Sequence, residues 1–200
     1  MSQDDRDRRD DGRPEQARPR DRSGRPLPYG GTADVPLAEE HDPRSVEEAL
    51  LLGVGLWNDE RFFEAHECLE HVWHAAPEVD RDFWQGVIQV AVAGVHLQRG
   101  NHGGAVALFT RAEERLTGYP DVHRGVDVEQ LRVACAGAVA ALQDAGTVIE
   151  VGFPEFPAMD DGPWFTPDAA ALEPPAEPTP IPDEPVWLAA GRARQPRRRD

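Results

Sequence analysis

Residues Phe83 to Asn101 read FWQGVIQVAVAGVHLQRGN. Apolar residues fall on almost every side of a 3.6-residue repeat in this stretch. A helix here has no wet face and must lie centrally among other elements. Its apolar core, Gly86 to Leu97, is too short to cross a bilayer, which takes about 20 residues, and it is interrupted by Gln89 and His96. The polar exceptions Gln85, Gln89 and His96 share one narrow stripe of the helix surface. Three such groups on a buried helix need partners, because each one left unpaired costs roughly 1 to 3 kcal/mol.

The segment before it, Arg61 to His74, reads RFFEAHECLEHVWH. Wound as a helix, it gathers Phe62, Ala65, Leu69, Val72 and Trp73 on one apolar face. His66 and Glu70, four apart and therefore adjacent, lie on the border of that face, with Glu67 beside them. His71 and Glu64 fall on the far side and are expected in water, while Cys68 and His74 decorate other faces. The pair His66/Glu70 is thus the supplier for the polar stripe of the next helix. The expectation is an inward polar patch of His66, Glu67, Glu70, Gln85, Gln89 and His96.

Local signals place the remaining elements. Ser45-Val46-Glu47-Glu48 is a capping-box start for a helix that runs to about Trp57. Asn58 and Asp59 break it, and the second helix runs from about Glu60 to Ala75, ending before Pro77. The third covers about Arg81 to Gln98 and stops at Gly100, a residue suited to the left-handed position past a helix end. Asn101 caps a fourth helix, HGGAVALFTRAEERL, closed by Gly118-Tyr119-Pro120. Asp127-Val128-Glu129-Gln130 opens a fifth that reaches about Asp144. No segment alternates with a period of two between turn signals, so no sheet is expected. The fold class is all-α: a compact bundle of about five antiparallel helices joined by short connections.

Composition sets the boundaries. Residues 1–44 are rich in Arg, Asp and Glu and hold few aliphatic side chains, so they cannot bury enough apolar surface to offset their ordering entropy. Residues 45–147 carry the helical periodicity. Residues 148–200 are Pro-rich and end in GRARQPRRRD, which reads as a second disordered tail. All 21 basic residues are Arg, and the formal net charge is -16, of which -9 falls on residues 45–146. An acidic domain repels phosphate backbones, so nucleic acid is not an expected partner of the folded part. The Arg-rich ends read as solvated tails. Cys68 and Cys135 belong to no metal-binding spacing, and no signal-peptide pattern opens the chain, so a reducing cytoplasm with no membrane attachment is expected.

The segments FFEAHECLEHVW (Phe62 to Trp73), FWQGVIQVAVAGVHLQRGN (Phe83 to Asn101), and GGAVALF with the helical RAEERL after it, in this order, resemble the bacterial and archaeal family known as domain of unknown function family 309. The resemblance covers about residues 45–145. It implies a small all-helical fold in which His66, Glu67, Glu70, Trp73, Gln85, Gln89, His96, Gly100 and Asn101 occupy the positions of the family's pattern. It implies no activity, and Cys68, His71 and His74 fall outside that pattern.

Two functions from different classes follow. The first is a non-enzymatic binding or scaffold module whose polar patch either fixes helix register or floors a groove for a small molecule or protein. The second is a metal-dependent, hydrolase-like enzyme using His66, Glu67, Glu70 and His96 on a divalent ion. Against the second, the residue four after His66 is Glu70 rather than a second histidine, so the zinc-protease helix is absent. No Glu is followed by His at the spacing of di-iron bundles, and no nucleophile motif is visible. No cofactor is therefore assigned beyond a possible divalent metal.

Overall fold

The computed structural model describes residues 19–28, 37–144, 153–160, 162–165, 167 and 177–181. Five helices dominate: α1 (Val46–Asn58), α2 (Phe62–Ala75), α3 (Glu78–Gln98), α4 (His102–Leu116) and α5 (Val128–Asp144). The all-α bundle expected from the periodicity is therefore what forms. Helix α3 packs between α2 and α4, with α1 on α2 and α5 on α4. Its central place follows from its pattern, with Phe83, Trp84, Val87, Val90, Ala91 and Ala93 fully buried. Two glycines permit close approach. A side chain at Gly86 would press on Leu116, and one at Gly94 would enter the ring of Phe62.

The local signals act as read. Ser45 Oγ accepts from the Glu48 N–H at 3.2 Å, Asn101 Oδ1 from Gly104 at 3.0 Å, and Asp127 Oδ1 from Gln130 at 2.8 Å. Gly100 adopts a positive φ of 68° past the end of α3. Two helix starts shift. Glu60 takes φ 58° and so closes off α1, which delays α2 to Phe62, and α3 begins three residues early because Pro77 serves as its N-cap.

The expectation of no sheet is corrected by a small antiparallel hairpin, β1 (Val122–His123) with β2 (Val126–Asp127). Two residues per strand are too few to show alternation in a sequence. The turn is carried by Arg124 and Gly125, both at positive φ. Asp80, 1% exposed, holds that turn to α3: its carboxylate takes His123 Nε2 at 2.8 Å and Arg124 Nε at 2.9 Å.

The packed unit also exceeds the boundaries read from composition. Residues 153–160 and 162–165 fold back onto the helices, burying Phe156 and Phe165, and the Pro154 carbonyl accepts from Trp57 Nε1 at 2.9 Å. Residues Pro157 to Met159 bond along β2 and its turn. Thr179, in the Pro-rich stretch, caps α1: its carbonyl accepts from Val46 N at 2.8 Å and its N–H donates to Glu47 Oε2 at 2.6 Å. Residues 19–28 and 37–44 likewise lie on α2 and α3 rather than apart from them. The aromatic residues among the prolines supply the apolar area that average composition hides. The disorder expected of residues 1–18 and of the Arg-rich end beyond 181 lies outside the described residues. No helix of the described residues is long and apolar enough to cross a membrane.

Candidate functional site

Helix α2 presents two polar faces, and they divide the six candidate residues. On one, the half-buried His66 directs Nδ1 at the Phe63 carbonyl in the turn before it. Helical side chains lean toward the N-terminus, so an imidazole on the border of an apolar face meets that carbonyl before it meets a neighbouring helix. Because a carbonyl only accepts, this bond puts the proton on Nδ1. Burial, then the nearby Arg99 and Arg20 charges, hold the His66 pKa below its ordinary value despite the hydrogen bond. The ring is neutral at neutral pH.

The stripe on α3 does not meet it. His96 turns to the α3–α4 corner, where Nδ1 accepts from Asn101 Nδ2 at 2.8 Å and the ring lies over Gly104. That contact explains the second glycine of Gly103-Gly104, since a side chain there would enter the imidazole. Gln85 and Gln89 are half-buried, and Gln89 Oε1 is buried with no hydrogen-bond partner. No hydrogen bond joins any two of His66, Glu67, Glu70, Gln85, Gln89 and His96. Among the described residues, no group of three or more His, Cys, Asp or Glu side chains is arranged to hold a metal ion.

The other face of α2 carries a cavity of about 360 Å³, lined by Glu67, Cys68, Glu70, His71 and His74 together with Glu40 and His41. Its far wall is the segment around residues 39–41, which Glu64 fixes in place. Glu64 is fully buried, not wet as its angular position suggested. Its Oε1 accepts from the Glu39 N–H at 2.5 Å, and Arg61 donates to both of its oxygens at 2.6 Å. Burial raises the Glu64 pKa, but these donors outweigh it and hold the carboxyl below its usual range.

Within the cavity the shifts run the other way. Burial, then the Glu70 charge, pushes the Glu67 carboxyl up to about 7. Loss of water also raises Glu70, and burial lowers His71 and His74. His74 Nδ1 and His41 Nε2 are buried and have no hydrogen-bond partner. The Cys68 thiol is pushed up to about 12 by burial, so it stays protonated and is no nucleophile. The wall thus consists of carboxyl groups and imidazoles, of which burial favours the neutral form at His71 and His74, and it holds no Arg. His71, His74 and the 40–41 segment were missed as site residues. The spacing of His71 and His74 from Glu67 and Glu70, one turn of a helix each, was the available signal.

Fold and cavity together define a small five-helix domain with an acidic, imidazole-lined cleft on its second helix. The family described as Domain of unknown function (DUF309) matches residues 50–108. That span runs from α1 through the first half of α4 and includes all six candidate residues. Over that span the chain is similar to the family that its motifs resembled. It is also similar to the uncharacterized protein YpuF of Bacillus subtilis (strain 168), at 42% identity over 52 residues, covering 26% of this chain and 30% of that protein.

Proposed function

We propose that the domain is a non-enzymatic binding module whose site is the cleft between α2 and residues 40–41, and that it takes a small cationic group, an ammonium or guanidinium. One observation carries this reading: a cavity of about 360 Å³ lined by three glutamates and three histidines, with no basic counter-charge in its wall. Carboxylates and neutral imidazoles accept hydrogen bonds, and a ligand with several N–H donors satisfies them. Glu67, with its pKa near 7, is about half protonated at neutral pH. An arriving cation favours its ionised form, so binding releases a proton. The metal-dependent alternative draws less support, because His66 and His96 each engage a different neighbour.

Calorimetric titration of the full chain with agmatine, which carries both an ammonium and a guanidinium, tests the proposal. Saturable 1:1 binding is expected, with proton release visible as a heat that depends on the buffer's ionisation enthalpy. Glu67→Gln should weaken it about tenfold or more, the scale of one charge-assisted hydrogen bond. Absence of saturable binding, or equal affinity in the variant, refutes the reading.

A further inference from the structure

A second site lies beside Phe63 and His66 of α2, among residues that do not line the cleft. Residues Arg20 to Arg25, RDRSGR, form a tight turn held at several points. Gly24 N donates to the Asp21 carbonyl at 2.7 Å, and the Asp21 carboxylate takes Ser23 Oγ at 2.8 Å and the Arg25 N–H at 2.9 Å. Gly24, at φ 76°, lies flat on Phe63, where any side chain would enter the ring. The guanidinium of Arg20 sits 5.5 Å above the same ring. The turn is then tied to the end of α3: Arg25 Nη2 donates to the Arg99 carbonyl at 2.8 Å, and Arg99 Nε donates to the Ser23 carbonyl at 2.7 Å.

These contacts bring three guanidiniums together across more than 70 residues of sequence. The charges acting on Arg99 are two like ones, Arg25 and Arg20, and one opposite, Asp21. A cation at a helix C-terminus has an ordinary structural meaning, since it complements the helix dipole, and Arg99 alone would need no other. That account also covers the Arg25 bond to the Arg99 carbonyl, but not the N–H groups that both guanidiniums keep beyond those backbone bonds. After bonding to backbone, Arg25 retains Nε and Nη1 and Arg99 retains both Nη groups. None of these has a protein partner among the described residues.

We infer that Arg25 and Arg99, supported by Arg20, form an oxyanion site for a phosphate group. Guanidinium forks match the oxygen spacing of phosphate. The charge of -1.5 to -2 that a phosphate monoester carries at neutral pH suits the excess of positive charge better than a monovalent carboxylate does. The group can come from free inorganic phosphate or from a small phosphate monoester.

The experiment is a ¹⁵N-HSQC titration of the full chain at fixed ionic strength, with inorganic phosphate, then glycerol 3-phosphate, then chloride as control. Saturable shifts confined to residues 20–25 and to Arg99 and its neighbours are expected with one or both phosphates. Which of the two binds tighter names the source. Affinity should fall at least tenfold in Arg25→Gln and in Arg99→Gln and stay unchanged in Arg111→Gln on α4. Arg25 is exposed, so its variant remains a fair test if Arg99→Gln loosens the turn. Shifts equal to those with chloride, or affinity unchanged in Arg25→Gln, overturn the site.

Discussion

Arg61 and Glu64, one turn apart across the start of α2, are joined by two hydrogen bonds of 2.6 Å, from Nε to Oε2 and from Nη2 to Oε1. Glu64 is fully buried, and its Oε1 also takes the Glu39 N–H. The pair therefore has two tasks: it closes the first turn of a helix whose N-cap, Arg61, makes no side-chain cap, and it fastens the segment that walls the cleft.

Replacing Glu64 with Gln should cost about 1.5 to 3 kcal/mol, the range for hydrogen bonds to charged groups, because Arg61 and the Glu39 N–H lose a charged acceptor together. Urea denaturation measures it. The folded pKa of Glu64 lies below its unfolded value, so its contribution is fully present above the unfolded carboxylate pKa and is lost as pH falls through the folded value. The variant should accordingly narrow the gap to the parent as the solution is acidified.

The clamp at Asp80 predicts a larger loss. Burial raises its pKa, but hydrogen bonds from His123 and Arg124 outweigh it and hold the carboxyl low. Arg124 is itself buried. Asp80→Asn leaves that guanidinium without its counter-charge, and breaking a buried pair costs about 3 to 5 kcal/mol. The positive φ of Arg124 adds to the effect, since a strained residue persists only while its surroundings hold it. Thermal melting should show the drop, and hydrogen exchange should show faster opening of residues 122–127 than of α3.

Sequence reading and structure agree where a short-range contact decides the outcome. Ser45, Asn101, Gly100 and Asp127 act within three or four residues of themselves, and each marks its helix end correctly. They part where the decisive partner is distant. Glu64 looked wet because the angular map of α2 contained no residue 39, and the segment that buries it comes from a stretch dismissed for its charge. His66 and His96 were each on the inward border of a helix. Their rings were claimed first by a carbonyl one turn back and by an asparagine one turn on. Two helices that share a packed face need not join their polar stripes, and the half-buried Gln85 and Gln89 fit that outcome. The similarity to the DUF309 family over residues 50–108 was legible because it rests on residue identity, whereas the cleft needs the fold of residues 37–44 before it exists.

Phe156 tests how far the packed unit extends. Its ring meets Trp57 edge-on at 5.3 Å, and its N–H donates to Asn58 Oδ1 at 2.7 Å. Phe156→Ala should destabilise the whole bundle by about 3 to 5 kcal/mol, as removal of a large core aromatic does. Near-ultraviolet circular dichroism should register the change at Trp57. A chain ended at residue 147 should be destabilised as well, which a tail lying apart from the helices would not cause.

Glu67 gives the opposite pH behaviour to Glu64. Its folded pKa, raised by burial and Glu70 to about 7, exceeds the unfolded carboxylate value near 4.5. Between those values the folded state holds more protons than the unfolded one, so stability falls as pH rises through that window. Above about pH 7 the protein carries an ionised carboxylate in a half-buried site at an energetic cost that Gln does not incur. Glu67→Gln should therefore be more stable than the parent at pH 8 and close to it at pH 4.5, as denaturation at the two pH values will show. Agmatine in the cleft should remove the difference at pH 8, because a bound cation stabilises the ionised parent and not the amide. A variant that is less stable at both pH values would instead mean that Glu67 is a structural acceptor.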